Sequence, residues 1–173
     1  VIPTMVVDHG RTTLWGHGLG CHMCLLRPKS RGEVTLKSSD PFEDPDIDPK
    51  FLSHPDDMQD MVAGYKKMMM IMNKDSFAKY TANHTMRPID INDDSDIEQA
   101  IREEADTVYH PVGTCKMGSD EMSVVNNELK VHGIDGLRVV DASIMPTLIG
   151  GNTNAPTIMI GEKASDMILG DWA

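Results

Sequence analysis

The chain has little cysteine, little positive charge and no long apolar run, and each shortage excludes something. Its three cysteines, Cys21, Cys24 and Cys115, are an odd number and do not describe a disulfide framework, so the redox compartment is left open. Sixteen basic residues against 27 acidic ones give a net charge of −11, and such a surface repels a phosphate backbone, which excludes nucleic acid as a partner. No apolar run approaches the ~20 residues of a membrane span, so none is expected in this chain. There is no internal repeat of 20–50 residues. The chain opens at Val1 without an initiator Met, as expected of a fragment or a processed chain, and although no signal peptide is visible, a fragment would have lost one. Asn83-His84-Thr85 is a glycosylation sequon only if the protein is extracellular, and the localisation stays unknown.

What is present is ordinary for a globular domain: 40% hydrophobic and 25% charged residues over 173 positions. Methionine is the exception, with 14 residues, among them Met68, Met69 and Met70 in succession. As a flexible gap-filler it points to core packing rather than to a thioether metal site. The first 22 residues are Gly- and His-rich without a clear period and read as an irregular lead-in. Short apolar or alternating runs at 22–27 and 33–37, separated by Ser30-Arg31-Gly32, predict a β-hairpin. Pro41, Pro45 and Pro49 then forbid a helix or a central strand and predict an extended surface segment.

Met58, Met61, Val62, Tyr65, Met68, Met69 and Met72 recur at helical spacing and predict a helix over 55–73, entered through Pro55, Asp56 and Asp57. Ser95 with Glu98 three residues later forms a capping box for a second helix over 96–106, whose apolar stripe is Ile97, Ala100, Ile101 and Ala105. Leu137 to Val140 is a short β-rich run ending at Asp141. A last helix over 155–168 has Pro156 in its first turn, Asn152, Thr153 and Asn154 as cap candidates, and Met159, Ile160, Ala164, Met167 and Ile168 on its apolar face. Strands and helices mix, so the fold class is α+β, or α/β in a larger parent protein.

Two segments carry chemistry. Tyr109-His110-Pro111-Val112-Gly113-Thr114-Cys115-Lys116-Met117-Gly118 places a histidine in a punctuated loop. An imidazole with an ordinary pKa of ~6.5 can exchange a proton near neutrality. Taken alone, a loop histidine is more often a hydrogen-bonded structural residue. The second segment runs from Leu137 through Asp141, Ala142 and Ser143 to Gly150-Gly151-Asn152-Thr153-Asn154-Ala155-Pro156. A strand ending in an acid is a common nucleotide-site device, the glycines admit a ligand close to the backbone, and the following helix start offers free N–H groups and partial positive charge. Spacing alone favours a strand, a turn and a packed helix without ligand.

Together these segments resemble the glucose–methanol–choline (GMC) oxidoreductases. Tyr109 to Gly118 is similar to the catalytic-loop motif of that family, and Val131 through Asp141 to Ile168 to its C-terminal signature. Leu26-Arg27-Pro28-Lys29-Ser30-Arg31-Gly32 and Asp40-Pro41 are similar to its β-hairpin segment. The resemblance covers about residues 24–170. It implies an FAD-dependent oxidoreductase acting on the CH–OH group of an alcohol, with a sugar or a choline-like compound as substrate and an electron acceptor such as a quinone. The hairpin segment and Ile144 to Ile168 look like glucose dehydrogenase-type members, and Ser95 to Gly118 like choline dehydrogenase. Carried over residue by residue, His110 matches the active-site histidine and Asn152 the second catalytic position. Asp141 and Ala142 match residues that contact FAD, and Thr153 and Asn154 lie in the turn beside the flavin ring. The implied organisation is a lead-in at 1–22, a substrate-binding region with the catalytic loop at 23–136, and the last strand and helix of the FAD-binding domain at 137–173.

The sequence departs from the family in three places. The G-x-G-x-x-G fingerprint that seats the FAD pyrophosphate is absent, since Gly16-His17-Gly18-Leu19-Gly20 has the wrong spacing, and the chain by itself is not expected to hold FAD tightly. Asn126-Asn127 stands where members often have Asp-Pro, and residues 1–22 fit the family poorly. One rival reading is a zinc module built on Cys21-His22-Met23-Cys24 with His9 and His17, which lacks a second C-x-x-C or an H-x-x-x-H pair. The other is a non-catalytic binding module that lacks FAD.

Overall fold

Pro55 fixes a helical φ and Asp56 and Asp57 bring negative charge to the first turn, and helix α1 (Pro55–Met72) starts there, as its sequence predicts. His54 caps it, its Nδ1 accepting from the Asp56 N–H at 3.2 Å. The computed structural model describes residues 11–12, 18–80 and 88–171. The sequon at Asn83 and the His9 and His17 of the zinc reading lie outside them. The described residues divide between two compact units, one formed by residues up to Leu25 with Leu52–Val108, the other by Leu26–Phe51 with Tyr109 onward.

In the first unit α1 packs on α3 (Asp94–Glu104), and a short helix α2 (Asp75–Ala78) lies between them in sequence. Met58 and Val62 of α1 meet Ile97 and Ile101 of α3, with Met61, Tyr65, Leu52 and Ile89 at the margin. The helical spacing of these residues makes one face of each helix apolar, and burying those faces on one another removes them from water. Ala105, expected in the α3 stripe, instead follows the helix and is exposed. Met23 packs into the notch at Gly64, where a side chain's Cβ would come within 2.5 Å of the Met23 methyl carbon.

The start of α3 differs from the capping box that its sequence suggests. Asp93, two residues earlier, is the cap: its Oδ1 accepts from the Ser95 N–H at 2.9 Å and from the Ser95 hydroxyl at 2.6 Å. Asp, Asn and Ser are near-equal caps, so among adjacent candidates the path of the incoming chain decides. Ser95 lies inside the first turn, where its hydroxyl serves Asp93.

In the second unit β1 (Glu33–Thr35) pairs antiparallel with β2 (Asp46–Asp48), with Val34 opposite Ile47. Of the expected run 33–37 only Glu33–Thr35 is a strand, and its partner is not 22–27. Gly32 explains the choice. A Cβ there would lie 2.3 Å from the carbonyl oxygen of Asp48, so this glycine is the point at which the returning chain crosses rather than the apex of a hairpin turn. Pro45 and Pro49 limit β2 to three residues, consistent with an edge strand, and Lys50 pairs with Glu33 at 2.8 Å just beyond it.

Leu137 to Val140, expected as a strand, makes a single bridge, Lys130 to Arg138. Gly133 and Gly136, both at φ 75, fold it back on residues 129–131, where the Val131 N–H donates to the Leu137 carbonyl at 2.9 Å. Helix α4 (Asn154–Asp171) follows. Ile160 and Ala164 enter a core with Val125, Leu129, Ile144 and Met145, and Met167 sits at its edge, whereas Met159 faces outward. An aspartate at a helix C-terminus opposes the helix dipole, and Asp171 is compensated there. Arg138 donates to it at 2.6 Å and Lys130 lies at 3.1 Å, which holds its carboxyl below the usual range. Among the described residues no helix is long and apolar enough to cross a membrane.

Candidate functional site

The loop 109–118 is zipped to the segment that leads into α4. The Cys115 N–H donates to the Ser143 carbonyl at 3.0 Å and the Met117 N–H to the Ile144 carbonyl at 2.8 Å. Val112 and Met117 pack on the core that holds Ile144 and Met145. Gly113 makes the close approach feasible: its φ is +89, and a Cβ would sit 3.3 Å from the Met145 carbonyl oxygen. Two stretches far apart in sequence are thereby fixed against each other.

His110 stands at the start of this loop, half-buried, after Tyr109 in the left-handed region at φ 61. A bulky residue at positive φ is uncommon, and here it turns the chain so that the imidazole Nδ1 lies 3.1 Å from the Tyr109 carbonyl oxygen. The same Nδ1 lies 3.1 Å from the Thr153 hydroxyl. The Thr153 carbonyl accepts the first bond of α4, from the Thr157 N–H at 3.0 Å, and also takes the Thr157 hydroxyl at 2.7 Å. His110 is thus joined directly to the start of a helix, where first-turn N–H groups carry partial positive charge. Asn152 and Asn154 flank Thr153 and are exposed.

Asp141 and Ala142 immediately precede Ser143, in the segment to which the loop is zipped. Asp141 is exposed, and its Oδ1 accepts from the Ser143 N–H at 2.7 Å and the Ser143 hydroxyl at 2.5 Å, capping a single 3₁₀ turn over Ala142–Ile144. Ala142 packs against the core. The sequence names all six residues but not how they connect: Thr153 enters as a cap candidate and as a residue of the turn, and nothing local in the sequence marks it as the partner of His110. Arg27 enters only within the hairpin-like segment, whereas its guanidinium donates to the Leu148 carbonyl at 3.2 Å and covers Gly150 in the approach to α4.

A polar turn closes the loop. Lys116 Nζ meets both oxygens of Asp120 at 2.8 and 2.9 Å, the Ser123 hydroxyl donates to Asp120 at 2.8 Å, and the Met122 N–H does so at 3.0 Å. Lys116 first, then Ser123, hold the Asp120 carboxyl down from 3.8 to about 2. A carboxyl depressed in the folded state contributes stability that is complete above 3.8 and is lost as pH falls through about 2. The carboxyl carbon shift of Asp120 is expected to titrate near about 2, and Lys116→Met is expected to move it up toward 3.8. A wild-type midpoint near 3.8 would contradict this network. Among the described residues no group of three or more His, Cys, Asp or Glu is placed to hold a metal ion.

A family model described as GMC oxidoreductase matches residues 28–161. The chain is 49% identical over 168 residues to an alcohol dehydrogenase (acceptor) of Pseudomonas putida, covering 97% of this chain and 30% of that protein. It is 44% identical over 169 residues to an oxygen-dependent choline dehydrogenase of Cronobacter sakazakii, covering 98% of this chain and again 30% of the other. The fold is similar to that of a formate oxidase from Aspergillus oryzae RIB40, in which FAD modification was studied, with a TM-score of 0.79 and 32% identity over 85% of this chain and 26% of that one. The chain spans about 30% of the length of the curated relatives it matches.

Proposed function

The chain belongs to the GMC oxidoreductases, in the C-terminal region of that family, and we propose that it supplies the catalytic groups of an FAD-dependent enzyme that oxidises the CH–OH group of an alcohol. The observation that carries this reading is the 3.1 Å contact between His110 Nδ1 and the Thr153 hydroxyl, which joins the two chemistry-bearing segments across 43 residues.

The residues present suit one end of the cofactor. Half-buried His110 is bonded to Thr153 at the start of α4, exposed Asn152 precedes Thr153 in the chain, and at Gly151 a Cβ would meet nothing nearer than a carbon of Ile149 at 4.0 Å, so the backbone there is open to a flat ligand. Thr153, Asn154 and the helix start would hold the ring edge, and Asp141 and Ala142 a more distant part. The G-x-G-x-x-G fingerprint is not among these residues, and the pyrophosphate contacts are assigned to another part of the flavoprotein that carries this chain. FAD, when bound, supplies the hydride acceptor at its N5.

The protein's part is orientation and proton transfer. His110 takes the hydroxyl proton of the substrate, the transfer that lets the carbon-bound hydrogen leave as hydride. Asn152 donates an amide hydrogen bond to the same oxygen and holds the carbon in line. The partial positive charge at the start of α4 stabilises negative charge gathering beside it. The substrate class is a sugar or a choline-like alcohol, and a quinone is a suitable electron acceptor. The relatives named above include both dehydrogenases and an oxidase. The test is anaerobic mixing of the flavoprotein that carries this chain with a panel of primary and secondary alcohols. Bleaching of the flavin absorbance by at least one of them is expected. A flavin that no alcohol reduces would leave the second reading, a binding module without turnover.

A further inference from the structure

Thr153 does more than begin α4. Its hydroxyl and the Tyr109 carbonyl oxygen both lie 3.1 Å from the same atom, His110 Nδ1. A carbonyl oxygen only accepts, so a neutral imidazole meets it with the proton on Nδ1. An unprotonated Nδ1 would set lone pair against lone pair. With that proton in place the Thr153 oxygen accepts it too, in a shared three-centre bond. Nε2 is then the basic nitrogen. Both partners sit on rigid supports. Tyr109 is held at φ 61, and the Thr153 backbone is held by two bonds from Thr157.

We infer that Thr153 is a positioning residue: with the Tyr109 carbonyl it fixes His110 as the Nδ1–H tautomer and presents Nε2 as the atom that receives the substrate's proton. The functional meaning of this rests on His110 being the acid–base group, whereas the tautomer does not. When Nε2 takes up a proton, Nδ1 keeps its hydrogen and both its partners, so the ring changes charge without turning. A threonine hydroxyl can accept from Nδ1–H in both states, which an apolar residue at this position cannot do.

The test is the nitrogen-15 spectrum of the imidazole in the labelled chain, at a pH above its titration, with His110→Gln assigning the signal among the seven histidines. Thr153→Val removes the hydroxyl but keeps the β-branched shape, and Thr153→Ser keeps the hydroxyl. In the wild type Nδ1–H is expected to be the major form. Thr153→Val is expected to lower the ratio of Nδ1–H to Nε2–H by roughly 2- to 10-fold, the size of one neutral hydrogen bond, and Thr153→Ser to restore it. A wild-type ring that is mainly Nε2–H, a ratio unmoved by Thr153→Val, or a Ser variant that behaves like Val would each overturn the inference. Turnover of His110→Ala tests the acid–base role separately, so the two can fail independently.

Discussion

His110→Ala is expected to lower alcohol turnover of the flavoprotein that carries this chain by about 10²- to 10⁴-fold, the usual contribution of a positioned acid–base group. Flavin content should barely change, because the imidazole is tied on its Nδ1 side to Tyr109 and Thr153 and is assigned to the substrate on the other. Asn152→Ala should cost much less, since it removes one neutral hydrogen bond of roughly 0.5–1.5 kcal/mol. The measurement is turnover at saturating alcohol with flavin occupancy read from the visible spectrum of each variant. Wild-type turnover in His110→Ala would refute the mechanism. Loss of flavin in that variant would make the histidine a structural or cofactor-holding residue instead.

Ile97→Ala is expected to produce the largest loss of stability in the unit that contains α1 and α3. Ile97 is fully buried between Met58, Val62 and Ile101, and truncating such a residue removes its transfer free energy and leaves a cavity, together about 2–5 kcal/mol. The core there is small, so little can collapse into the gap. Amide hydrogen exchange of α1 and α3, followed by mass spectrometry, should accelerate by roughly 30- to 5,000-fold where exchange proceeds by opening of this unit. Unchanged protection of both helices would show that Ile97 does not hold them together.

The helices were legible because their signals are local. The face of α1 is written in residues three and four apart, Met58, Met61, Val62 and Tyr65, and its entry in Pro55 and the two aspartates that follow, so the helix runs over Pro55–Met72 close to the expected 55–73. The start of α3 was less legible because Asp93 and Ser95 are equally able caps, and only the approach of residues 90–93 chooses between them. The strand partner of 33–35 was misread for a related reason. Alternation marks a strand but not what it pairs with, and the closeness of Gly32 to Asp48 is a property of the folded backbone.

The sequence by itself determined the family and the residue types that such chemistry needs: His110 in its loop, and Asn152, Thr153 and Asn154 before a helix. Side-chain chemistry and short-range spacing are intrinsic to the chain. The tertiary structure alone decided which of these meet. It brought Thr153 rather than Asn152 to His110 Nδ1, and it joined Cys115 and Met117 to the carbonyls of Ser143 and Ile144. Those choices depend on burying Val125, Ile144, Met145, Ile160 and Ala164 in one core. A hydrogen bond across 43 residues forms only after that burial has offset the entropy of closing the loop between its ends.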